Sequence, residues 1–422
     1  FPLTLTDRYI GQARNCVATF VYTPEAASNV YVQCSQETAD LNDRQVGNIR
    51  VMLQAGYASG LNADSSEVIE RHNQFKSKKL PVYPLSAIDT DNRVANYFEK
   101  SMHTRAPTSA GAVVMDGKLY MHPPKTRHGL YPYPGEMRHS VYSVTKSMAG
   151  ALSLLYLAGR YGEEIFDERI TDYVPALAEH PGWQGVTFSH ALNMVTGTVG
   201  SERGEHLFEI LIKARTAEEA IQNIATLGDA PGAPGETFNY ASTNLFVLSY
   251  ALQNYVEEKE GRPVNYWDLV RQNVLVPMGA GYFSLRQTLE ADASKSIPIL
   301  AYGALPTLDE AAKIALLLSN EGSYEGRQLL HRGTTREALG RTKWAGYSTG
   351  NDYRGSRYRH SFWSKGIETP QCEVGVPYML GYGGNYVWHL PSDAIALRFM
   401  DEYDLDFSRL IRSVEKLRSS CR

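Results

Sequence analysis

The sequence predicts an α+β fold, an antiparallel sheet flanked by helices with an all-helical region inserted between its strands, plus an N-terminal extension. Three observations predict it. A hairpin signature stands near residue 110, two more strand-like runs occupy 386–400 ahead of an amphipathic helix, and helical patterns separated by Pro and Gly fill residues 150 to 300.

Residues 1–85 read as an extension of unassigned role. Within it Cys16–Tyr22 and Asn29–Gln33 carry the β-branched and aromatic content of strands, and Gln74–Lys79 before Leu80-Pro81 reads as a solvated connector. The hairpin follows. Gly111–Met115 and Lys118–Met121 flank Asp116-Gly117, a pair that accepts the positive φ a two-residue turn demands. Ser143–Tyr156 reads as a helix, apolar or small on every side from Met148 to Leu157, and therefore buried, with Gly159 as its terminator. Ala217–Ile224, Leu245–Leu252 and Tyr266–Arg271 are further helical patterns. Tyr386–Leu390, the turn Pro391–Asp393 and Ala394–Met400 form a second hairpin, and Phe407, Leu410, Ile411, Val414 and Leu417 mark a closing helix. The predicted sheet thus draws on 105–140 and 380–422, with the helical region between about 150 and 300.

Composition sets outer bounds. The 422 residues are 43% hydrophobic and 21% charged, with a net charge of −4, which is globular and lacks the basic footprint of nucleic-acid binding. The longest apolar runs, Ala151–Ala158 and Ile314–Leu318, fall far below the roughly 20 residues of a membrane span, so no membrane-spanning helix is expected. The four cysteines form no C-x-x-C pair. Cys16 with Cys34 and Cys372 with Cys421 are candidate disulfides, the alternative being four thiols. Paired cysteines, and a start at Phe1 rather than Met, point to a periplasmic or secreted protein.

Several motifs carry no chemistry. Gly346-Tyr-Ser348-Thr-Gly350 matches the nucleophile-elbow pattern but lacks a strand before it and a helix after it. His122 and His128 sit among Pro and Lys and read as a surface loop, and no H-E-x-x-H is present. Of two Ser-x-x-Lys pairs, Ser413–Lys416 lies on the polar side of the closing helix. Ser143-Val-Thr-Lys146 opens the buried one. Spacing i, i+3 puts both side chains on one face, roughly 5–6 Å apart at Cβ. An ammonium held against apolar surface loses basicity, and a neutral lysine can take a proton from a serine hydroxyl. Tyr240-Ala-Ser242 stands before the helix of Leu245–Leu252, with Ser242 a natural N-cap and Tyr240 fixed just ahead of it. Gly381-Tyr-Gly-Gly-Asn385 leads into the strand from Tyr386, where glycines let backbone approach a neighbour closely.

Together these elements resemble the serine β-lactamase-like hydrolases, which include class C β-lactamases, D-Ala-D-Ala peptidases, family VIII-type esterases and 6-aminohexanoate-dimer hydrolases. The resemblance spans residues 95 to 405 and implies a β-lactamase/transpeptidase-like serine hydrolase domain over 86–422. Ser143–Lys146 resembles the family's S-x-x-K, Tyr240-Ala-Ser242 its Y-x-N with Ser for Asn, and Tyr382-Gly-Gly384 its K-T-G or H-x-G. Trp183–Gly197 and Gly303–Gly322 resemble intervening segments. The resemblance implies Ser143 as nucleophile, Lys146 as general base and Tyr240 as proton shuttle. It further implies an oxyanion site at the Ser143 amide and near Asn385, with Tyr382, Gly384 and Ser242 lining the substrate, and it calls for no cofactor or metal. Tyr382 in place of a lysine removes a cation that holds substrate carboxylates. The expectation is therefore an esterase or linear-amide hydrolase acting on small molecules. The alternatives are a β-lactamase or D-Ala-D-Ala carboxypeptidase, and a degenerate penicillin-binding-type module that binds without turnover. Oligomeric state is left open.

Overall fold

The computed structural model describes residues 1–6, 12–36, 49–56, 65–98, 109–126, 129–199, 202, 207–228, 232–350, 355–400 and 407–421. The extension forms its own antiparallel sheet in the order β1 (Pro2–Thr6), β2 (Ala13–Thr19), β3 (Val30–Gln36), β4 (Ile49–Leu53). Cys16 lies opposite Cys34 in the β2–β3 register, and the two are disulfide-bonded. With Ala18 and Val32 they make a small core of their own. The residues read as a connector instead belong largely to a helix, α1 (Ser65–Ser77), none of whose residues is buried. Pairs four apart hold it, Glu67 with Arg71 and Glu70 with Gln74, and polar composition had hidden it.

The chain enters the main sheet at β5 (Val82–Pro84), which pairs in parallel with β7 (Lys118–His122). β6 (Ser109–Met115) and β7 form the predicted hairpin, with Asp116 and Gly117 at φ 53° and 68°. Of the predicted region, residues 105–108 and His128 lie outside the described residues. His122 is buried at the end of β7 with its ring against Phe98, so it is a core residue and not part of a surface loop.

Six more strands complete the sheet: β8 (Tyr347–Ser348), β9 (Arg357–Arg359), β10 (Phe362–Glu368), β11 (Glu373–Gly381), β12 (Asn385–His389) and β13 (Ile395–Met400), the last joining the others to β6. The order is β8-β9-β10-β11-β12-β13-β6-β7-β5, antiparallel throughout except at β5–β7. The closing helix α8 (Ser408–Leu417) buries Leu410, Ile411 and Val414 as its spacing predicts. Its far end is tied back by the Cys372–Cys421 disulfide.

Between the halves of the sheet lie the helices. Lys146–Ala151 winds as a π-helical turn and continues as α2 (Leu152–Tyr161), all apolar contacts buried from Leu152 to Ala158. The helix does not stop at Gly159. That glycine lets the backbone at His331 approach, 3.2 Å from where a Cβ would stand, and the helix ends at Gly162 with φ 107°. α3 (Phe188–Leu192) and α4 (Ala217–Ala225) follow, then α5 (Ser242–Glu260), α6 (Tyr266–Val270) and α7 (Leu308–Ser319). Gly150 faces Leu245 of α5 so closely that a Cβ would sit 2.9 Å from its Cδ1. This approach of two buried helices is what brings Lys146 to the start of α5.

Candidate active site

Ser143 stands on a tight turn ahead of the π-helical turn. Tyr142 before it adopts φ 45°, an uncommon conformation for a side chain of this size, and one that persists only where its surroundings enforce it. Several bonds do so. His139 and Val141 donate their amides to Pro306 and Ala304 carbonyls, Thr145 Oγ1 donates to the Tyr142 carbonyl at 2.5 Å and accepts from the Ala304 amide, and Ser147 Oγ donates to the Ser361 carbonyl. Among the described residues no carbonyl accepts from the Ser143 amide.

Lys146 is 1% exposed, and its ammonium has three partners, each at 2.9 Å: Ser143 Oγ, Ser242 Oγ and the Ala301 carbonyl. Burial pushes its pKa down to about 8, against an opposing pull from the Glu202 carboxylate. Tyr240 turns its ring to the same group, with Nζ 4.8 Å from the centroid, a contact that favours the charged form. Tyr240 is set there by its neighbours. Asn239 donates its amide to the Met194 carbonyl and its Nδ2 to that of Thr198, and Ala241 N donates to Met194 Sδ.

The predicted N-cap role of Ser242 does not hold. Ala241 precedes the first turn of α5 with no side-chain cap, and Ser242 is the first helical residue. Its hydroxyl reaches Lys146 instead, because a buried ammonium needs acceptors more than a helix end does.

Opposite the nucleophile turn, β11 ends at Gly381. A Cβ there would lie 2.0 Å from the Val141 carbonyl oxygen and 3.1 Å from Val144 N, so only glycine lets the strand abut the loop that carries Ser143. Tyr382, Gly383 and Gly384 then turn the chain into β12, the glycines at φ 81° and 83°. Tyr382 is 43% exposed, and its ring meets Tyr142 edge-on at 5.7 Å. Asn385 is buried, and its Nδ2 donates to the Tyr382 carbonyl at 2.5 Å, so its side chain braces the turn rather than facing outward. The structure thus brings Ser143, Lys146, Tyr240 and Ser242 into one cluster, and sets the Tyr382–Asn385 turn against the loop bearing Ser143.

An aromatic wall borders Tyr240. Trp363 lies 5.4 Å from it, and Tyr358 and Phe238 pack on Trp363 at 4.9 and 5.8 Å. No sequence signal singled these out: Tyr358 and Trp363 face each other across the β9–β10 hairpin, more than a hundred residues from Phe238 and Tyr240. Nor did one mark Ala301, whereas the close backbone approach read at Gly381 is what the strand makes there. The other motifs stay apart from the site. Ser413 donates to Arg409 within α8, and Ser348 lies in the short edge strand β8, its hydroxyl accepting from Gly350 N. A cleft under α1, lined by Arg71, Phe75, Lys78 and Tyr282, shares no residue with the cluster and holds no nucleophile with a base beside it.

Residues 94–400 match the family profile described as Beta-lactamase. The chain belongs to the beta-lactamase family. Solved structures agree on the fold. A family VIII carboxylesterase is similar at 16% identity and TM-score 0.56, covering 80% of this chain and 98% of that one. The D-amino acid amidase of Ochrobactrum anthropi SV3, solved with D-phenylalanine, is similar at 15% identity and TM-score 0.55, covering 78% and 100%. A penicillin-binding protein from Bacillus halodurans is similar at 16% identity and TM-score 0.54, covering 79% and 99%. No sequence among the curated proteins matches significantly. Members of this family are serine hydrolases of esterase, amidase and penicillin-binding types that work in general through an acyl-enzyme. Among the described residues, no helix is long and apolar enough to cross a membrane.

Proposed function

We propose that this protein is a serine hydrolase that cleaves a carboxylic ester or linear amide through an acyl-enzyme on Ser143. The observation that carries the reading is Lys146 Nζ 2.9 Å from Ser143 Oγ, in a site that brings the ammonium down to about 8. At pH 7 about a tenth of the molecules then hold a neutral amine against the hydroxyl, far more than an exposed lysine would supply.

In this mechanism Lys146 takes the proton from Ser143 Oγ as the oxygen bonds to the substrate carbonyl carbon. The carbonyl oxygen gains negative charge and is met by the Ser143 amide and by an amide at or near Asn385. Tyr240 gives its phenol proton to the leaving alcohol or amine as its bond to carbon breaks, and the Lys146 ammonium beside its ring returns one to the phenolate. Water then attacks the acyl-enzyme by the same route in reverse, releasing acid and Ser143. The Tyr240 hydroxyl lies outside the hydrogen-bond set of Lys146, which suits it to the leaving group. Ser242 anchors the lysine, and Tyr382 and Gly384 border the substrate. Tyr382 gives no cation for a substrate carboxylate, which favours esters and linear amides over penicillins and D-peptides. The two disulfides fit a periplasmic or secreted setting.

The test is a turnover profile across p-nitrophenyl acyl esters, linear amides and nitrocefin, with Ser143→Ala as control. Turnover of esters or amides, lost by about four orders of magnitude or more in the variant, is expected. Dominant nitrocefin hydrolysis would make it a β-lactamase. Absence of both turnover and fluorophosphonate labelling would make it a binding module.

A further inference from the structure

The N-terminal extension lies outside residues 94–400, the stretch that matches the family, and the mechanism assigns it no role. It nevertheless grips the chain at Arg138, five residues before the nucleophile. Asn15, in β2, is 2% exposed, and its side chain takes both backbone groups of Arg138. Nδ2 donates to the Arg138 carbonyl at 2.9 Å, and Oδ1 accepts from the Arg138 amide at 3.0 Å. A carboxamide carries a donor and an acceptor side by side, so it can stand in for a strand residue in such a pair. The grip is itself held. Oδ1 also accepts from Thr4 Oγ1 of β1 at 3.0 Å, the Cys16 carbonyl accepts from the Tyr131 hydroxyl at 2.8 Å, and the Cys16–Cys34 disulfide ties β2 to β3. The buried core of this sheet is only Cys16, Ala18, Val32 and Cys34, so the bridge and these polar contacts do much to fix where Asn15 stands.

On its other side the gripped residue is continuous with the site. From Arg138 the chain runs against residues 301–306. The Arg138 guanidinium donates to the Leu305 carbonyl at 2.7 Å, and the His139 and Val141 amides donate to the Pro306 and Ala304 carbonyls at 3.1 and 3.3 Å. The chain then enters Tyr142 at φ 45° and reaches Ser143. A residue of that size stays in the left-handed region only where its surroundings over-determine the backbone, and a fixed entry at Arg138 is part of that constraint. Ser143 is carried by one of the two paired segments, while the Ala301 carbonyl of the other holds Lys146. A slip between the segments therefore changes the separation of Oγ and Nζ, now 2.9 Å.

We propose that Asn15 is a positioning residue for the nucleophile. By holding Arg138 it keeps the Tyr142 turn in register with residues 301–306, which makes the N-terminal sheet a working part of the active site. This rests on the serine-hydrolase reading and gives the extension a role in it.

The test uses the full chain with Asn15→Leu, which keeps the volume and removes both bonds, and Asn15→Ala, which removes them without adding apolar bulk. Both are assayed with p-nitrophenyl butyrate across pH. Rates are expressed per active site, counted by end-point fluorophosphonate titration, so that any unfolded fraction drops out. In both variants kcat should fall about ten- to a hundredfold, the effect of a nucleophile misplaced by about 1 Å. KM should stay within about twofold. The acid limb of kcat/KM should stay at about 8, because the three partners of Lys146 are untouched. If Asn15 only docks the extension, the variants gain sensitivity to proteolysis near the N-terminus while kcat per site keeps its wild-type value. That result would overturn the inference and leave the hydrolase intact. A change confined to KM, or a displaced acid limb, would put the effect on the substrate pocket or on Lys146 and overturn it as well. No turnover of any ester by the wild-type protein would instead remove the hydrolase reading on which the inference stands.

Discussion

Replacing Ser242 by alanine should change the titration of the catalytic base. The Lys146 ammonium carries three N–H groups in a site 1% exposed, and each has an acceptor at 2.9 Å. Removing the Ser242 hydroxyl leaves one N–H of the charged form unpaired. The neutral amine that acts as base turns its lone pair to the Ser143 hydroxyl and keeps two N–H groups, one for Ala301 and one for Ser242, so it loses a partner too. The penalty falls more heavily on the charged form. A hydrogen bond to a charged group is worth about 1.5–3 kcal/mol against about 1 kcal/mol for a neutral one, and a pKa unit is about 1.4 kcal/mol, so the pKa should drop by about one unit. From about 8 in the intact protein, the acid limb of kcat/KM for p-nitrophenyl butyrate should move to about 7. The plateau above it should fall several-fold, because a less basic and less tethered amine abstracts the proton less well. Ser242→Asn, which restores a side-chain acceptor, should keep the limb near its original position. An acid limb that stays at about 8 in Ser242→Ala would show that this hydroxyl does not hold the ammonium. It would also remove the reason given for serine at the start of α5.

Other substitutions probe the remaining parts. Gly381→Ala would drive a Cβ to 2.0 Å from the Val141 carbonyl oxygen, displacing β11 from the nucleophile loop. Steady-state kinetics should show a loss of about a hundredfold, with a thermal melt still cooperative. Tyr240→Phe should lower kcat far more than it raises KM, since the ring and its packing on Trp363 survive while the hydroxyl does not; a change confined to KM would count against a proton-transfer role. His139 and His389 are buried and pushed down to about 3 by desolvation. Each is neutral in the folded chain while its unfolded counterpart charges below about 6.5, so their stability is present above that pH and lost as pH falls from 6.5 towards 3. Denaturant melts should show a loss of about 2 kcal/mol per histidine by pH 5, and His139→Leu should flatten the slope.

Much of this was legible where local chemistry and tertiary demand agree. Asp116-Gly117 fixes a hairpin because few other pairs accept its backbone, and Lys146, one turn into a helix apolar on every side, is buried with Ser143 beside it. The cysteines read as candidate disulfides formed as expected. What stayed hidden depends on distant segments meeting. β10 and β11 did not register because Gly366 faces Gly375 across their register and Pro377 interrupts a central strand, erasing the alternation a strand shows. Gly159 read as a helix stop because local propensity cannot see that its missing Cβ makes room for residue 331. Ser242 read as a cap because serine caps helices in general, whereas Lys146, 96 residues away in sequence, claims its hydroxyl.

The central claim is that Ser143, activated by Lys146, takes up the acyl group. Intact-protein and peptide mass spectrometry after acid quench of the reaction with p-nitrophenyl butyrate tests it most directly. A butyryl adduct on the peptide holding Ser143, absent in Ser143→Ala and built up slowly in Lys146→Ala, is the predicted result. An adduct on any other residue, or turnover undiminished in Ser143→Ala, would contradict the account.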